Sequence, residues 1–199
     1  LIDKLPAKGK IVKEEKNAQY GSTVWTLSNG TKVYFKKTDY KEDEILFKGQ
    51  RKGGYYNFAK PTATDLKVLN AVSALGGLGK FDASALEKAL TGRLAAITSS
   101  VSGISDDVAG STTKEDLETL LQLLYLKFTA VRSDKEAFQA WQERTISEIE
   151  ASKANPLSFL GDSITRYLFP NNPERYPLSV QEVKGANYEK ALQLFRSRF

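Results

Sequence analysis

The sequence predicts an α+β fold, in which helices pack on one face of a largely antiparallel sheet. The first observation is a pair of short alternating segments on either side of Asn29-Gly30, typical of a β-hairpin because both turn residues tolerate positive φ. The second is another hairpin-like segment over residues 94–111. The third is the helical spacing of apolar residues from Thr112 onwards. Hairpins followed by clustered helices favour α+β over an alternating α/β order.

The strands are expected inside one domain that follows an N-terminal extension. Residues 1–21 are rich in Lys and Glu and are interpreted as a linker or extended arm, and residues 22–199 as the α+β domain. Alternating apolar residues or hairpin signals predict strands at Thr23–Ser28, Lys32–Lys37 and Glu44–Arg51, and a second hairpin within Leu94–Ser111.

The helices are predicted from their start and stop signals. Polar residues that can cap a first turn precede each apolar stripe, and Gly or Pro follows several of them. The expected starts are Thr62 with Asp65, Asp82, a capping box of Thr112 with Glu115, a cap of Ser133 with Glu136, Ser179 and Asn187. Asn155-Pro156 is expected to end the helix that starts at Ser133, and a further helix is expected to run to Leu168. The stripe of the third helix is predicted to be Leu117, Leu120, Leu121, Leu124 and Phe128.

The composition argues against catalysis by this chain alone. It contains no His and no Cys, which are the usual zinc ligands and the usual partners in nucleophilic catalysis. We therefore predict no catalytic residues and no metal ligands. No apolar run is long enough to span a bilayer. Leu1 is not an initiator residue, so the chain is expected to be an excised, truncated segment.

The positive charge is concentrated near the N-terminus. Residues 1–60 carry 13 Lys and Arg against 7 Asp and Glu, while the whole chain has a net charge of +5. Acidic residues interrupt the basic ones, as in Lys13-Glu14-Glu15-Lys16. Such mixed charge is typical of a solvated face, and no nucleic-acid partner is expected.

Two motifs could bind a ligand but fit a structural role better. Gly76-Gly77-Leu78-Gly79-Lys80 is glycine-rich, yet a helix precedes it and Phe81 follows the lysine, so a helix end and turn is predicted rather than a phosphate loop. Tyr55-Tyr56-Asn57-Phe58 could stack on a ligand, but the edge of the core is the favoured interpretation.

The acidic candidates are also interpreted as surface features. Asp106-Asp107 is predicted at a solvated hairpin tip, because a calcium loop would need further alternating oxygen ligands. Glu143, Glu148 and Glu150 lie on one predicted helix and could take part in acid–base chemistry, but exposed helical glutamates are common.

The order of segments resembles the pitrilysin/insulysin (insulinase-like) family of zinc peptidases, and in particular the non-catalytic C-terminal half of bacterial members. The resemblance covers nearly the whole chain and rests on the order of several stretches. These are Val24–Val33, Asp43–Phe47, Gly76–Phe81, Asp116–Leu123, Asn171–Pro173 and Leu194–Phe199.

The resemblance implies the mitochondrial processing peptidase-like fold without its chemistry. Active halves of the family carry His-x-x-Glu-His on the helix that resembles Thr62–Leu75 here, and this helix has no such ligands. A further zinc-binding Glu of active halves falls near Glu148 or Glu150. Zinc is therefore expected in the catalytic half of a longer protein and not in this chain.

The resemblance also implies the partners. The chain is expected to pair with the N-terminal catalytic half of the same polypeptide, to form chamber wall and to contribute to binding of a peptide substrate. A purely structural assembly subunit of the same fold stays an alternative, as does a binding module for anionic polymers that uses residues 1–60. The compartment stays open, with a bacterial periplasm or cell envelope favoured over the cytoplasm.

Overall fold

The computed structural model describes residues 1–59 and 61–199; Lys60, part of the basic N-terminal stretch, lies outside the described residues. The described residues form two compact units, one of Ile2–Glu44 and one of Leu1 with Ile45–Phe199. The strands are β1 (Ile11–Asn17), β2 (Ser22–Leu27), β3 (Lys32–Phe35), β4 (Ile45–Lys52), β5 (Ala95–Val101) and β6 (Ser105–Thr112). The helices are α1 (Ala63–Val72), α2 (Ala83–Ala89), α3 (Leu117–Thr129), α4 (Lys135–Ser152), α5 (Pro156–Leu168), α6 (Val180–Gly185) and α7 (Tyr188–Arg196), with 3-10 turns at Tyr55–Asn57 and Pro173–Arg175.

The smaller unit is an antiparallel meander in the order β1-β2-β3. The predicted Asn29-Gly30 turn joins β2 to β3, with Gly30 at φ +83°. Trp25 and Phe35 stack on one face with ring centroids 6.0 Å apart. Part of the predicted 1–21 arm is thus a paired strand, because the backbone of β1 bonds along β2 despite the charged side chains of β1.

The larger unit contains the second sheet, in the order β4-β6-β5. The α+β class and the antiparallel pairing are confirmed, but the strands form two sheets. The third predicted strand, β4, pairs with β6 across the chain instead of extending the first meander. Helices α1 and α3 pack on the face that carries the inward side chains of β5 and β6.

The core lies between that sheet face and the helices. Helix α1 packs along α7, and α4 packs on α6. Fully buried side chains include Leu69, Val72, Leu120, Leu192 and Phe195. The Phe138 ring stacks on Tyr188 and on Trp141, with centroid distances of 4.7 and 5.5 Å.

Two helix starts differ from the sequence prediction. Helix α3 begins after Asp116 instead of in a capping box of Thr112 with Glu115. Thr112 is the last residue of β6, and the Asp116 carboxylate accepts a hydrogen bond of 2.7 Å from the Leu94 N–H, which ties the helix start to the start of β5. Helix α4 is capped by Asp134, one residue after the predicted Ser133, because the Asp134 carboxylate accepts from the Ala137 N–H.

The predicted apolar stripe of α3 is only partly buried. Leu120 is buried as expected, together with Leu123 and Leu126, whereas Leu121 and Phe128 are exposed. The helix is rotated relative to the prediction because the sheet covers the face of residues 120, 123 and 126–127. This rotation carries Lys127 towards the core side of the helix.

Candidate functional site

Helix α1 is a core helix in this chain. Thr62 and Asp65 form the predicted capping box at its start. Val68, Leu69 and Val72 are fully buried on its inner face. Among residues 1–59 and 61–199 there is no group of three or more acidic, His or Cys side chains that could hold a metal ion.

The charged residues of α1 are bound to neighbouring helices. Asp65 accepts from Lys190 of α7, and burial, which would raise the pKa of Asp65, is outweighed by hydrogen bonds from Lys190 and Thr62 that lower it. Lys67 is 7% exposed and pairs with Glu182 at 2.6 Å. Burial would also raise the pKa of Glu182, but hydrogen bonds from Lys67 and Ser179 outweigh it and lower the pKa. These charges therefore stabilise helix packing.

Asn70, another polar residue of α1, bonds to the outer edge of the second sheet. The Asn70 side chain accepts from the Val101 N–H at 2.8 Å and donates to the Val101 C=O at 3.0 Å. Both backbone groups of Val101 thus point away from β6. Because orientation alternates along a strand, the backbone groups of Ala95, Ile97 and Ser99 point the same way.

This outer edge of β5 is open beyond Val101. No backbone hydrogen bond to Ala95, Ile97 or Ser99 from outside the sheet occurs in the described part of the chain. An open edge is a template for adding another strand. The edge at Ala95–Ile97 also borders a groove of about 610 Å³.

The groove lies between α2, α3 and the start of β5, and its lining is largely apolar. The apolar lining includes Leu78, Leu86, Leu90, Ile97 and Leu123. Two charged side chains also line it, Glu87 and Lys127. Glu87 is exposed, whereas desolvation by burial lowers the pKa of Lys127. A concave apolar surface with few polar groups is the usual form of a binding site.

The acidic pair at residues 106–107 corrects the sequence prediction. Asp106 lies within β6, not at a hairpin tip, and is 3% exposed. Its carboxylate accepts from Arg51 at 2.9 Å, from Arg198 at 2.8 Å and from the Gly54 N–H at 3.1 Å. Burial opposes ionisation, but these bonds hold the pKa of Asp106 below its usual range. Asp106 therefore links β6 to β4 and to the residues that follow α7.

The other candidates stay apart from the groove. Glu143, Glu148 and Glu150 are exposed on α4, where Glu148 pairs with Arg144 and Glu150 with Lys153. The expected buried edge at Tyr55–Phe58 is only half formed, since Tyr56 is 65% exposed.

The glycine-rich segment forms the predicted turn. The Leu78 N–H donates to the Phe81 C=O, and the Gly79 N–H donates to the Ala130 C=O. A Cβ on Gly76 would lie 2.3 Å from the Arg132 carbonyl oxygen, so glycine is required for close packing. The amides of Leu78 and Gly79 are therefore engaged within the fold.

Sequence reasoning did not single out Lys127, Asn70 or the open edge of β5. The signal for Lys127 was its position four residues after Leu123, on the buried face of α3. The open edge has no local signal, because it depends on which strand β6 pairs with.

Comparison with known proteins gives one similar sequence and several similar structures. No family model matches the chain. A protein of Arabidopsis thaliana described as zinc protease PQQL-like is 24% identical over 200 residues, covering all of this chain but only 18% of its own length. The chain thus spans about a fifth of that relative.

Solved structures share the fold. The periplasmic protease PqqL from Escherichia coli matches the whole chain with a TM-score of 0.75 and 19% identity, over 22% of the PqqL chain. A peptidase M16 inactive domain from Pseudomonas fluorescens matches 88% of the chain with a TM-score of 0.59 and 13% identity, over 49% of that domain. No helix among the described residues is both long and apolar enough to cross a membrane. The chain is thus similar in sequence to a zinc protease, and it shares its fold with the protease PqqL and with an inactive M16 peptidase domain.

Proposed function

We propose that the chain is the non-catalytic part of a two-half zinc metalloendopeptidase, in which it forms chamber wall and holds an extended peptide on the edge of β5. The N-terminal half of the same longer polypeptide would carry zinc and the His-x-x-Glu-His motif. The observation that supports this function best is the open β5 edge beside the apolar groove. The PqqL structure is of a periplasmic protease, which favours the periplasm for the longer protein.

The edge offers a geometric basis for binding without sequence-specific chemistry. The N–H and C=O groups of Ala95, Ile97 and Ser99 can pair with a peptide in extended conformation. Asn70 occupies the backbone groups of Val101, so the peptide strand would end before that residue. Backbone pairing supplies affinity, and the groove receives alternate side chains.

Peptide cleavage would depend on the other half of the protein. This chain has no His and no Cys, and its charged groups on α1 are engaged in ion pairs with α6 and α7. Holding zinc and activating water therefore belong to the catalytic half in this proposal. We expect the purified chain to bind peptides weakly and not to hydrolyse them.

The substitution Ile97→Pro tests the binding edge. It removes one outward N–H without removing a ladder bond to β6, a position where proline is tolerated on an edge strand. We expect about a tenfold or greater loss of affinity for a fluorescent extended peptide, measured by anisotropy. Amide exchange should show that peptide protects Ile97 and Ser99 in the unsubstituted chain.

The matched control is Lys48→Pro on the opposite edge of the sheet. Along β4, every second residue bonds to β6. Lys48 lies between two of these residues, so its N–H points away from β6 and out of the sheet. Affinity should be unchanged in this variant, with thermal unfolding checked for both. Equal loss in the two variants would overturn the edge assignment. Peptide hydrolysis or a tight stoichiometric zinc site in the chain alone would overturn the proposed function.

An assembly role is the second candidate, and α5 favours it. None of its residues is buried, and Leu157, Phe159, Leu160, Tyr167 and Leu168 are all more than half exposed. Apolar surface of this extent marks contact with another protein surface. An assembly subunit would give no peptide binding at the β5 edge, so the same titration separates the two functions.

A further inference from the structure

We infer that the groove selects extended peptides with an acidic side chain, and that Lys127 binds the carboxylate. This inference rests on the proposed function, since it names the class of peptide that the β5 edge accepts. It starts from the position of one lysine in an otherwise apolar surface.

Lys127 lies on the inner side of α3 without a compensating charge. It follows Leu123 by one turn, and both line the groove together with Leu86 and Ile97. In the described residues, Lys127 has no ion pair and no hydrogen bond from its ammonium group. Burial removes water from the Lys127 ammonium group, and this desolvation lowers the pKa of Lys127. A bound carboxylate would restore the lost interactions.

The charges around Lys127 favour an anion from either side. A second cavity of about 280 Å³ also borders Lys127, and among the described residues that line it Arg196 has the only other charged side chain. The Arg196 guanidinium donates to the Val131 carbonyl at 2.6 Å and adds positive potential there. On the groove side the one acidic lining residue, Glu87, is exposed, so water and salt screen its charge.

The geometry of a peptide strand paired with β5 indicates that the bound carboxylate belongs to a peptide side chain. In a strand paired with β5, alternate side chains point to the same face as Ala95 and Ile97, whose side chains turn towards the helices. That face leads into the groove and to Lys127. An internal Asp or Glu of the peptide can therefore reach the ammonium group while the peptide backbone stays paired with the edge.

The test uses two blocked peptides that differ only in one central Glu or Gln. Both are acetylated and amidated, and their affinities are measured by anisotropy at low salt. We expect the Glu peptide to bind about tenfold more tightly than the Gln peptide. In Lys127→Met this preference for the Glu peptide should disappear, whereas Lys127→Arg should retain it.

Two further arms control for non-specific charge and for the source of the carboxylate. Lys88→Met changes the net charge equally at an exposed lysine of α2 outside the groove lining, and should keep the preference. The Gln peptide with a free C-terminus should bind no better than its amide.

Each contrary outcome is specific. Equal binding of Glu and Gln peptides, or a preference that survives Lys127→Met, overturns the role of Lys127 and leaves the edge function standing. Strong preference for the free C-terminus overturns the side-chain assignment. Binding of neither peptide at any concentration overturns the proposed function itself.

Discussion

At the residue scale, the Asp106 carboxylate joins three parts of the larger unit. Its oxygens accept from Arg51 on β4, from the Gly54 N–H after β4 and from Arg198 after α7. The Arg51 guanidinium also donates to the Arg198 carbonyl, which closes the network. Removing a buried acceptor from such a network leaves donors unsatisfied, so its loss costs more than an exposed salt bridge.

We predict that Asp106→Asn destabilises the chain by about 2–3 kcal/mol, because the amide keeps the shape but loses the charge that both arginines bind. Urea unfolding followed by circular dichroism measures the change. Asp107→Asn is the control, since its half-buried carboxylate bonds to Gln50 and Ser105 and faces away from both arginines. The control should cost less than about 1 kcal/mol. Equal costs would contradict a special role for Asp106.

The role of Asp106 could not be predicted from the sequence. Two adjacent aspartates shortly after Gly103 are typical of a turn, and no neighbouring residue indicates that Asp106 is buried. The partners Arg51 and Arg198 are 55 and 92 positions away. Lys127 is a similar case, because its burial depends on how α2 and β5 surround α3.

At the element scale, local signals predicted most helices and non-local contacts decided the exceptions. Thr62, Asp82, Ser179 and Asn187 cap helices where helix starts were predicted, because each cap involves residues three positions apart. Asn155, predicted only as a helix break, also caps the helix that follows it. The predicted start of α3 was wrong because the Asp116 carboxylate accepts hydrogen bonds from Arg93 and Leu94, which directly precede β5. The pairing of β4 with β6 was also not predicted, because it joins residues that are far apart in the sequence.

The ion pairs of Asp65, Asp106 and Glu182 give the stability a defined pH dependence. The pKa values of Asp65, Asp106 and Glu182 are all lowered in the folded chain. Each carboxylate therefore stabilises the fold fully above its unfolded-state pKa of about 4, and this stabilisation is lost as pH falls through the lower folded value.

We predict that the free energy of unfolding is nearly constant from pH 7 to about 5 and decreases at more acidic pH. Glu182→Gln should be less stable at neutral pH and should show a shallower acid slope, since one titrating group is gone. Urea titrations at several pH values measure both. Glu143→Gln, an exposed residue of α4, should match the unsubstituted chain. A stability that rises on acidification would contradict the assignment.

At the scale of the whole molecule, the two units differ in how much they bury. The unit of Ile2–Glu44 has no buried side chain among its residues, whereas the unit that begins at Ile45 contains the core around Leu69 and Phe195. A three-stranded meander without a buried face has little stability of its own. The chain also has two tryptophans, Trp25 in the meander and Trp141 in the core of the larger unit.

We predict that the two units unfold at different denaturant concentrations, because apolar burial sets the local free energy of opening. Trp141→Phe leaves Trp25 as the reporter of the meander, and Trp25→Phe leaves Trp141 as the reporter of the core. Fluorescence of Trp25 should change at lower urea than that of Trp141, and circular dichroism of the unsubstituted chain should show the same two steps. Superimposable transitions in both variants would mean that the meander draws its stability from the larger unit, and would contradict the prediction.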